Sequence, residues 1–120
     1  MINVPVYVYI AGPLSIGSQA QNVRNAVLMA HDLREKNPRI VPFVPHLSHF
    51  WHYAVPHTGY DYWMDMDFAW LSKCDCLLRI SGESQGADME VEFAKNMDIP
   101  VFGHPTDLLV WIQQRTDQAE

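Results

Sequence analysis

The 120-residue chain has no cluster of lysines and arginines anywhere along its length. Eight basic residues against 14 acidic ones leave a formal net charge of −6. Binding along a nucleic-acid backbone needs clustered cations, so no nucleic-acid partner is expected. Long hydrophobic runs are missing as well. No apolar stretch approaches the length of a membrane span, so no membrane partner is expected. The N-terminal MINVPVYVYI carries neither a basic region nor a small-residue cleavage site. Cysteine is scarce. Cys74 and Cys76 form a C-x-C without a second pair, which signals neither a zinc site nor a disulfide framework. On a strand the two would point to one side as buried thiols, which suits a cytoplasmic location. Repeats, low-complexity tracts and linkers are absent. So are a P-loop and a G-x-G-x-x-G after the first strand. A receiver domain would need acidic residues after that strand, where this chain has Gly12-Pro13.

What is present is enough apolar material for one compact domain over residues 1–120. The chain is 48% hydrophobic and 18% charged, a balance that favours a packed core over disorder. VYVYIA, residues 6 to 11, is β-branched and aromatic and stops at Gly12-Pro13, as a buried strand does. Val23, Ala26, Val27, Ala30 and Leu33 recur at helical spacing between about Ser18, a candidate cap, and Asn37-Pro38. A short strand at 40–44 is weakened by Pro42. Residues 45–59 read as a long aromatic and histidine-rich loop. A helix from about Tyr60 to Ser72, a strand at 75–80, a helix from about Ala87 to Met97, a strand at 100–102 and a helix from Pro105 to about Arg115 complete the pattern. This βα alternation predicts an α/β fold: a flavodoxin- or Rossmann-like three-layer sandwich with a four- or five-stranded parallel sheet in the order 2-1-3-4. Ligands then bind beyond the carboxyl ends of the first and third strands. Those ends carry Gly12-Pro13-Leu14-Ser15 and residues 81–86, SGESQG.

Two carboxylates fall on the wrong faces of their helices. At about 100° per residue, Phe93, Met97, Ala94, Ala87 and Val91 make one apolar arc, and Glu90 lies inside it while Asp88 and Glu92 lie on the polar face. Glu90 could serve only to complement the helix dipole, but Asp88 would do so at less desolvation cost. A buried, unpaired carboxylate costs several kcal/mol, which points to chemistry. In the preceding helix Asp67 lies amid Trp70, Trp63, Leu71, Met64 and Phe68, with Asp65 opposite. Asp67 could equally cap a neighbouring element or pair with a buried arginine. A pair of inward carboxylates is what glycosidic-bond chemistry uses.

Other candidates surround these. Ser84-Gln85-Gly86 before a helix offers backbone N–H groups and a hydroxyl to an anion. Arg79, ending an apolar strand, could hold a phosphate or pair with Asp67 or Glu90. His46, His49, His52 and His57 invite a metal reading, but their spacing matches no ligand pattern, so neither metal nor other cofactor is expected. Phe50, Trp51, Tyr53, Tyr62 and Trp63 could form an apolar lid, a stacking surface for a planar base, or an oligomer interface.

These residues resemble the nucleoside 2-deoxyribosyltransferase-like superfamily, including relatives that hydrolyse 2′-deoxynucleoside 5′-phosphates. The likeness runs from YIAGPL near the start to IPVF near the end, and is strongest to a small uncharacterised subgroup. Tyr9 in VYIAGP, Asp67 in DMDFAWLSKCD, and Ser84, Gly86 and Glu90 in S-x-G-x-x-x-E carry it. The resemblance implies that Glu90 is a nucleophile attacking C1′ of a (deoxy)ribonucleoside or its 5′-monophosphate, with Asp67 and Tyr9 positioning sugar and nucleophile. It implies substrate contacts from Ser84 and Gly86; the strand-end and stacking arguments add Gly12, Pro13, Ser15, Arg79, Trp51 and Trp63 as expected substrate contacts. The loop GPLSIG lacks the arginine that phosphate-handling relatives carry there. The surplus of Trp and Tyr between residues 50 and 70, with the family habit of shared sites, implies a homodimer or higher homo-oligomer. The alternative from another class is a non-catalytic nucleotide-binding or signalling domain of the same fold.

Overall fold

The computed structural model describes residues 4–56 and 59–119. Strand β1 (Val6–Ala11) alternates as its sequence demands. Val6, Val8 and Ile10 turn to one side of the sheet, Tyr9 and Ala11 to the other. Helix α1 (Gln19–Lys36) starts where Ser18 Oγ accepts the Gln21 N–H and ends where the Asn37 N–H donates to the Leu33 carbonyl. Its buried stripe is Ala26, Ala30 and Leu33. Val27 is 37% exposed rather than buried, because a helix lying on a flat sheet covers a narrower arc than its apolar residues span.

Strand β2 (Ile40–Phe43) leads not into a loop but into a 3₁₀ turn (Pro45–Ser48) and helix α2 (His49–Ala54). Between Pro45 and Pro56 no glycine or proline interrupts the backbone, so local hydrogen bonds form despite the loop-like composition. The remaining elements are α3 (Tyr60–Leu71), β3 (Cys76–Arg79), α4 (Gln85–Asn96), β4 (Val101–Phe102) and α5 (Pro105–Ala119).

The described strands form one parallel, four-stranded sheet in the order β2-β1-β3-β4, as the alternation predicts. Tyr9 sits in register with Phe43 on one side and Leu77 on the other. Pro42 is tolerated because β2 is an edge strand. Asp75 fastens the start of β3 to β1: its carboxylate accepts the Tyr7 N–H at 2.8 Å, and its own N–H donates to the Tyr7 carbonyl at 2.8 Å.

Helices cover both faces. Ala26, Ala30 and Leu33 of α1 and Leu108 and Ile112 of α5 pack on the side of Val8, Ile10 and Leu78. Leu71 of α3 and Ala87 and Ala94 of α4 pack on the side of Tyr9, Ala11 and Leu77. Phe68 and Phe93 stack at 4.8 Å and tie α3 to α4. The two cysteines do not share a side. Cys76 joins the α1/α5 core, while Cys74 packs against the other. The strand begins only at Cys76, so its alternation does not reach Cys74, which donates to the Trp70 carbonyl instead. Burial raises both thiols, Cys74 to about 11 and Cys76 to about 12, which leaves them protonated and unreactive. Among the described residues no helix is long and apolar enough to cross a membrane.

The loops after β1 and β3 touch. A Cβ on Gly82 would lie 2.7 Å from Pro13 Cγ, and the φ of +122° disfavours any L side chain. Gly103 has open space around it. Gly82→Ala is therefore expected to lose about 1–3 kcal/mol in a denaturant titration. Gly103→Ala should stay within about 0.5 kcal/mol of the parent. Equal stabilities would show that the two loops are not held against each other.

Candidate functional site

The carboxyl ends of β1 and β3 lie side by side, and their loops interlock. The Ile80 N–H donates to the Ala11 carbonyl at 2.7 Å, and a Cβ on Gly12 would lie 3.0 Å from Ile80 Cβ. Asn22 on α1 holds the first loop, its side-chain amide donating to the carbonyls of Leu14 at 2.9 Å and Ile16 at 2.8 Å. Above these ends opens a cavity of about 550 Å³. That volume suits a small molecule. Gly12 and Ser15 form one wall, Trp63 and Asp67 of α3 another, and Ser84, Gly86 and Glu90 the third.

Helix α4 is set by Ser84, whose Oγ accepts the Ala87 N–H at 3.1 Å. Counting inward from that cap, Glu90 lands between Ala87 and Ala94 on the face that lies on the sheet, and it is 6% exposed. The Tyr9 hydroxyl donates to Glu90 Oε2. Burial raises the Glu90 carboxyl to about 7; the Tyr9 hydrogen bond opposes the rise, Asp67 adds to it, and Arg79 opposes it. Burial, followed by the Glu90 charge, pushes the Tyr9 phenol far up, so Tyr9 stays a donor at every working pH. Asp67 is raised to about 6 by burial, and its Oδ1 is buried without a hydrogen-bond partner. Two carboxylates titrating near neutrality on facing helices can divide acid and base roles between them.

Two members of the predicted apolar arcs fall outside the core. Met97 is 51% exposed because α4 ends at Asn96. Trp70 is 53% exposed because it stacks on Phe43 of the edge strand, 5.2 Å away, with one face left to solvent.

Arg79 is not on the cavity wall and pairs with neither Asp67 nor Glu90. Its guanidinium donates to the carbonyls of Ile80 and Gly82, and to Asp88 at 3.0 Å. The chain turns back just past the end of β3, so these acceptors close over the side chain before it can reach the cavity. Pro13 does not line the cavity and packs against Gly82. Trp51 does not line it either; it is 45% exposed and meets Trp63 edge-on at 5.4 Å.

His46 is the polar residue of the site that helical and strand periodicity did not mark. It is 3% exposed, and its Nε2–H is shared between the carbonyls of Gly12 at 3.2 Å and Pro13 at 3.1 Å. Nδ1 is buried without a partner, and burial lowers the imidazole's pKa, so the ring is held neutral. It follows the end of β2, a third strand terminus at the same edge, where ligand-binding residues gather. His52 and Glu83 also line the cavity, and Tyr60 and Met64 close over Gly86. His57 lies outside the described residues. Among the described residues no three His, Cys, Asp or Glu side chains are placed to hold a metal ion.

A carboxyl whose folded pKa lies at about 7, against an ordinary 4.5, binds its proton more tightly in the folded chain. Its contribution to stability is therefore greatest below about 4.5 and falls as pH rises through about 7. Glu90→Gln removes that loss while keeping the shape. Its stability should exceed the parent's by up to about 3 kcal/mol at pH 8, and the gain should fade by pH 5. Glu92→Gln, on the exposed face, should show no such difference. Thermal melts of the three proteins between pH 5 and 8 test this, and a Glu90→Gln protein less stable at pH 8 overturns it.

No curated protein matches the chain. Solved structures do. A conserved protein from Enterococcus faecalis V583 superposes with a TM-score of 0.69 at 21% identity, over 81% of this chain and 61% of that one. A 2-deoxyribosyltransferase from the psychrotolerant bacterium Bacillus psychrosaccharolyticus gives 0.58 at 18%, over 82% and 75%. A 2-desoxiribosyltransferase from Leishmania mexicana gives 0.54 at 18%, over 81% and 62%. At these identities the likeness is one of fold: the parallel 2-1-3-4 sheet with helices on both faces is that of the nucleoside deoxyribosyltransferases. The chain spans about three-fifths of the length of the first and third of these structures. The family model described as a domain of unknown function, DUF7768, matches residues 6–103, and the chain belongs to that family.

Proposed function

We propose that the chain cleaves or transfers at the N-glycosidic bond of a (deoxy)ribonucleoside or its 5′-monophosphate, with Glu90 as nucleophile. The observation that carries this reading is Glu90 itself: a carboxylate buried on a cavity wall, hydrogen-bonded by Tyr9 and, among the described residues, in no ion pair. The two transferases sharing the fold support the substrate class.

In the proposed sequence, Tyr9 holds Oε2 and leaves the other oxygen to attack C1′. The C1′–N bond breaks as the C1′–O ester forms, and its electron pair leaves with the base, which takes up a proton. Asp67, raised to about 6 by burial, is the group on the cavity wall suited to supply that proton in weakly acidic solution. Water, or a second base, then attacks C1′ and returns Glu90 as carboxylate. Tyr9 remains a donor throughout, because burial and the Glu90 charge oppose its ionisation.

Free base should be released from some member of a nucleoside and nucleotide panel, as measured by chromatography. Glu90→Gln should lower that rate by about a thousandfold or more, and Glu92→Gln should not. The kcat/KM of the parent should be bell-shaped in pH with its maximum between about 6 and 7, limited on the acid side by ionisation of Glu90 and on the basic side by loss of the Asp67 proton. Tight nucleotide binding without base release would favour the non-catalytic alternative.

The same reading includes a homodimer or larger homo-oligomer. Phe50, Tyr53, Tyr62 and Trp70 expose 66%, 68%, 48% and 53% of their surface around α2 and α3, an apolar face of the kind association covers. Light scattering at micromolar concentration should report more than one chain per particle, and a monomer would overturn this part.

A further inference from the structure

A nucleoside and its 5′-monophosphate differ by a group carrying roughly −1.5 to −2 charges at pH 7. A site that prefers the phosphate must therefore present positive charge to it. Among the described residues the cavity presents no lysine or arginine for that purpose. Three carboxylates line it, Asp67, Glu83 and Glu90, and its lining holds no lysine or arginine. Among the described residues its basic side chains are His46 and His52. The single N–H of His46 is already shared by the Gly12 and Pro13 carbonyls, and the ring is neutral.

The cation closest in sequence to the α4 start is committed elsewhere. Arg79 is 17% exposed at its side chain and donates to two carbonyls and to Asp88. The N-terminus of α4 is capped at one N–H and flanked by carboxylates. Ser84 Oγ takes the Ala87 N–H, Asp88 stands in the first turn, and Glu83 directly precedes the cap. The positive end of that helix is thus already matched by carboxylates.

We infer that the site selects an uncharged nucleoside and rejects its 5′-monophosphate, by carboxylate repulsion with no cation to offset it. This rests on the glycosidic reading above. C1′ and the 5′ oxygen belong to one furanose unit, so a substrate with C1′ against Glu90 carries its 5′ group within the cavity or at its mouth. There a free hydroxyl can donate to a carboxylate such as Glu83, whereas a phosphate can only be repelled by it.

The test compares base release from each nucleoside with that from its 5′-monophosphate at pH 8. The expected kcat/KM favours the nucleoside by at least about a hundredfold, and added salt should narrow the ratio. Glu83→Lys should shift the ratio toward the monophosphate by about tenfold or more. Glu92→Lys makes the same change of net charge outside the cavity and should leave the ratio in place. Monophosphates turned over as well as nucleosides overturn the inference. If neither releases base, the glycosidic reading fails. Equilibrium dialysis of the same labelled pairs against the parent protein then still decides: tighter nucleoside sustains the selection, while tighter monophosphate, or binding of neither, overturns it.

Discussion

The burial of Glu90 against Tyr9 is the constraint around which the rest of the structure is arranged. A carboxylate taken out of water needs donors, and the usual donor would be an arginine or lysine. Here it is a phenol fixed in the middle of the central strand. Tyr9 can serve because β1 alternates, so that placing Val8 and Ile10 under α1 and α5 forces Tyr9 to the opposite face. Helix α4 must then approach the sheet closely, which Ala87 and Ala94 permit. Its start must be fixed so that the sixth residue, Glu90, points inward, which Ser84 achieves.

The same constraint explains where the charges went. Arg79 could have neutralised Glu90, and the result would have been a structural ion pair. Asp88 and two backbone carbonyls hold it away. The guanidinium still tempers the Glu90 charge at a distance without quenching it. Asp67, brought opposite by the Phe68–Phe93 stack, works in the other direction and raises Glu90 further. The fold thus carries a destabilised carboxylate at its centre. Such a cost is tolerable because β1 and β3 are covered by helices on both faces, and it is the kind of cost that sites of chemistry incur.

Much of this was legible in the sequence, for identifiable reasons. The parallel 2-1-3-4 sheet followed from βα alternation, which constrains topology strongly. Glu90 was legible because a charged residue inside an apolar arc breaks the 3.6-residue period. Other features depend on where the backbone goes. Arg79 was captured by carbonyls of the turn that follows it, and no periodicity reports on a turn's path. His46 was hidden in a segment whose composition suggested a loop but whose backbone forms a 3₁₀ turn and a helix. The cysteines were assigned to one side because alternation was extended two residues beyond the true start of β3. By periodicity alone Tyr9 is any buried aromatic, and only the family resemblance of VYIAGP singles it out. Only its hydroxyl distinguishes it from phenylalanine, and a lone hydroxyl on an apolar strand shows its purpose only when its partner across the sheet is known.

For the nucleophile proposed above, a carboxyl that titrates near 7 has a particular advantage. Desolvation makes the ionised form more reactive, but it also makes that form scarcer at a given pH. Raised much further, Glu90 would be protonated in most molecules; left at its ordinary value, it would be a weak, well-solvated base. Tyr9 sets the balance, because its hydrogen bond pulls Glu90 down while burial pushes it up. Because burial and the Glu90 charge prevent Tyr9 from ionising, the donor persists in both protonation states of its partner. Removing the hydroxyl would therefore leave the geometry of α4 largely in place while making the carboxylate harder to ionise. The strand that builds the core of the sheet thereby also sets the charge state of the group at its edge.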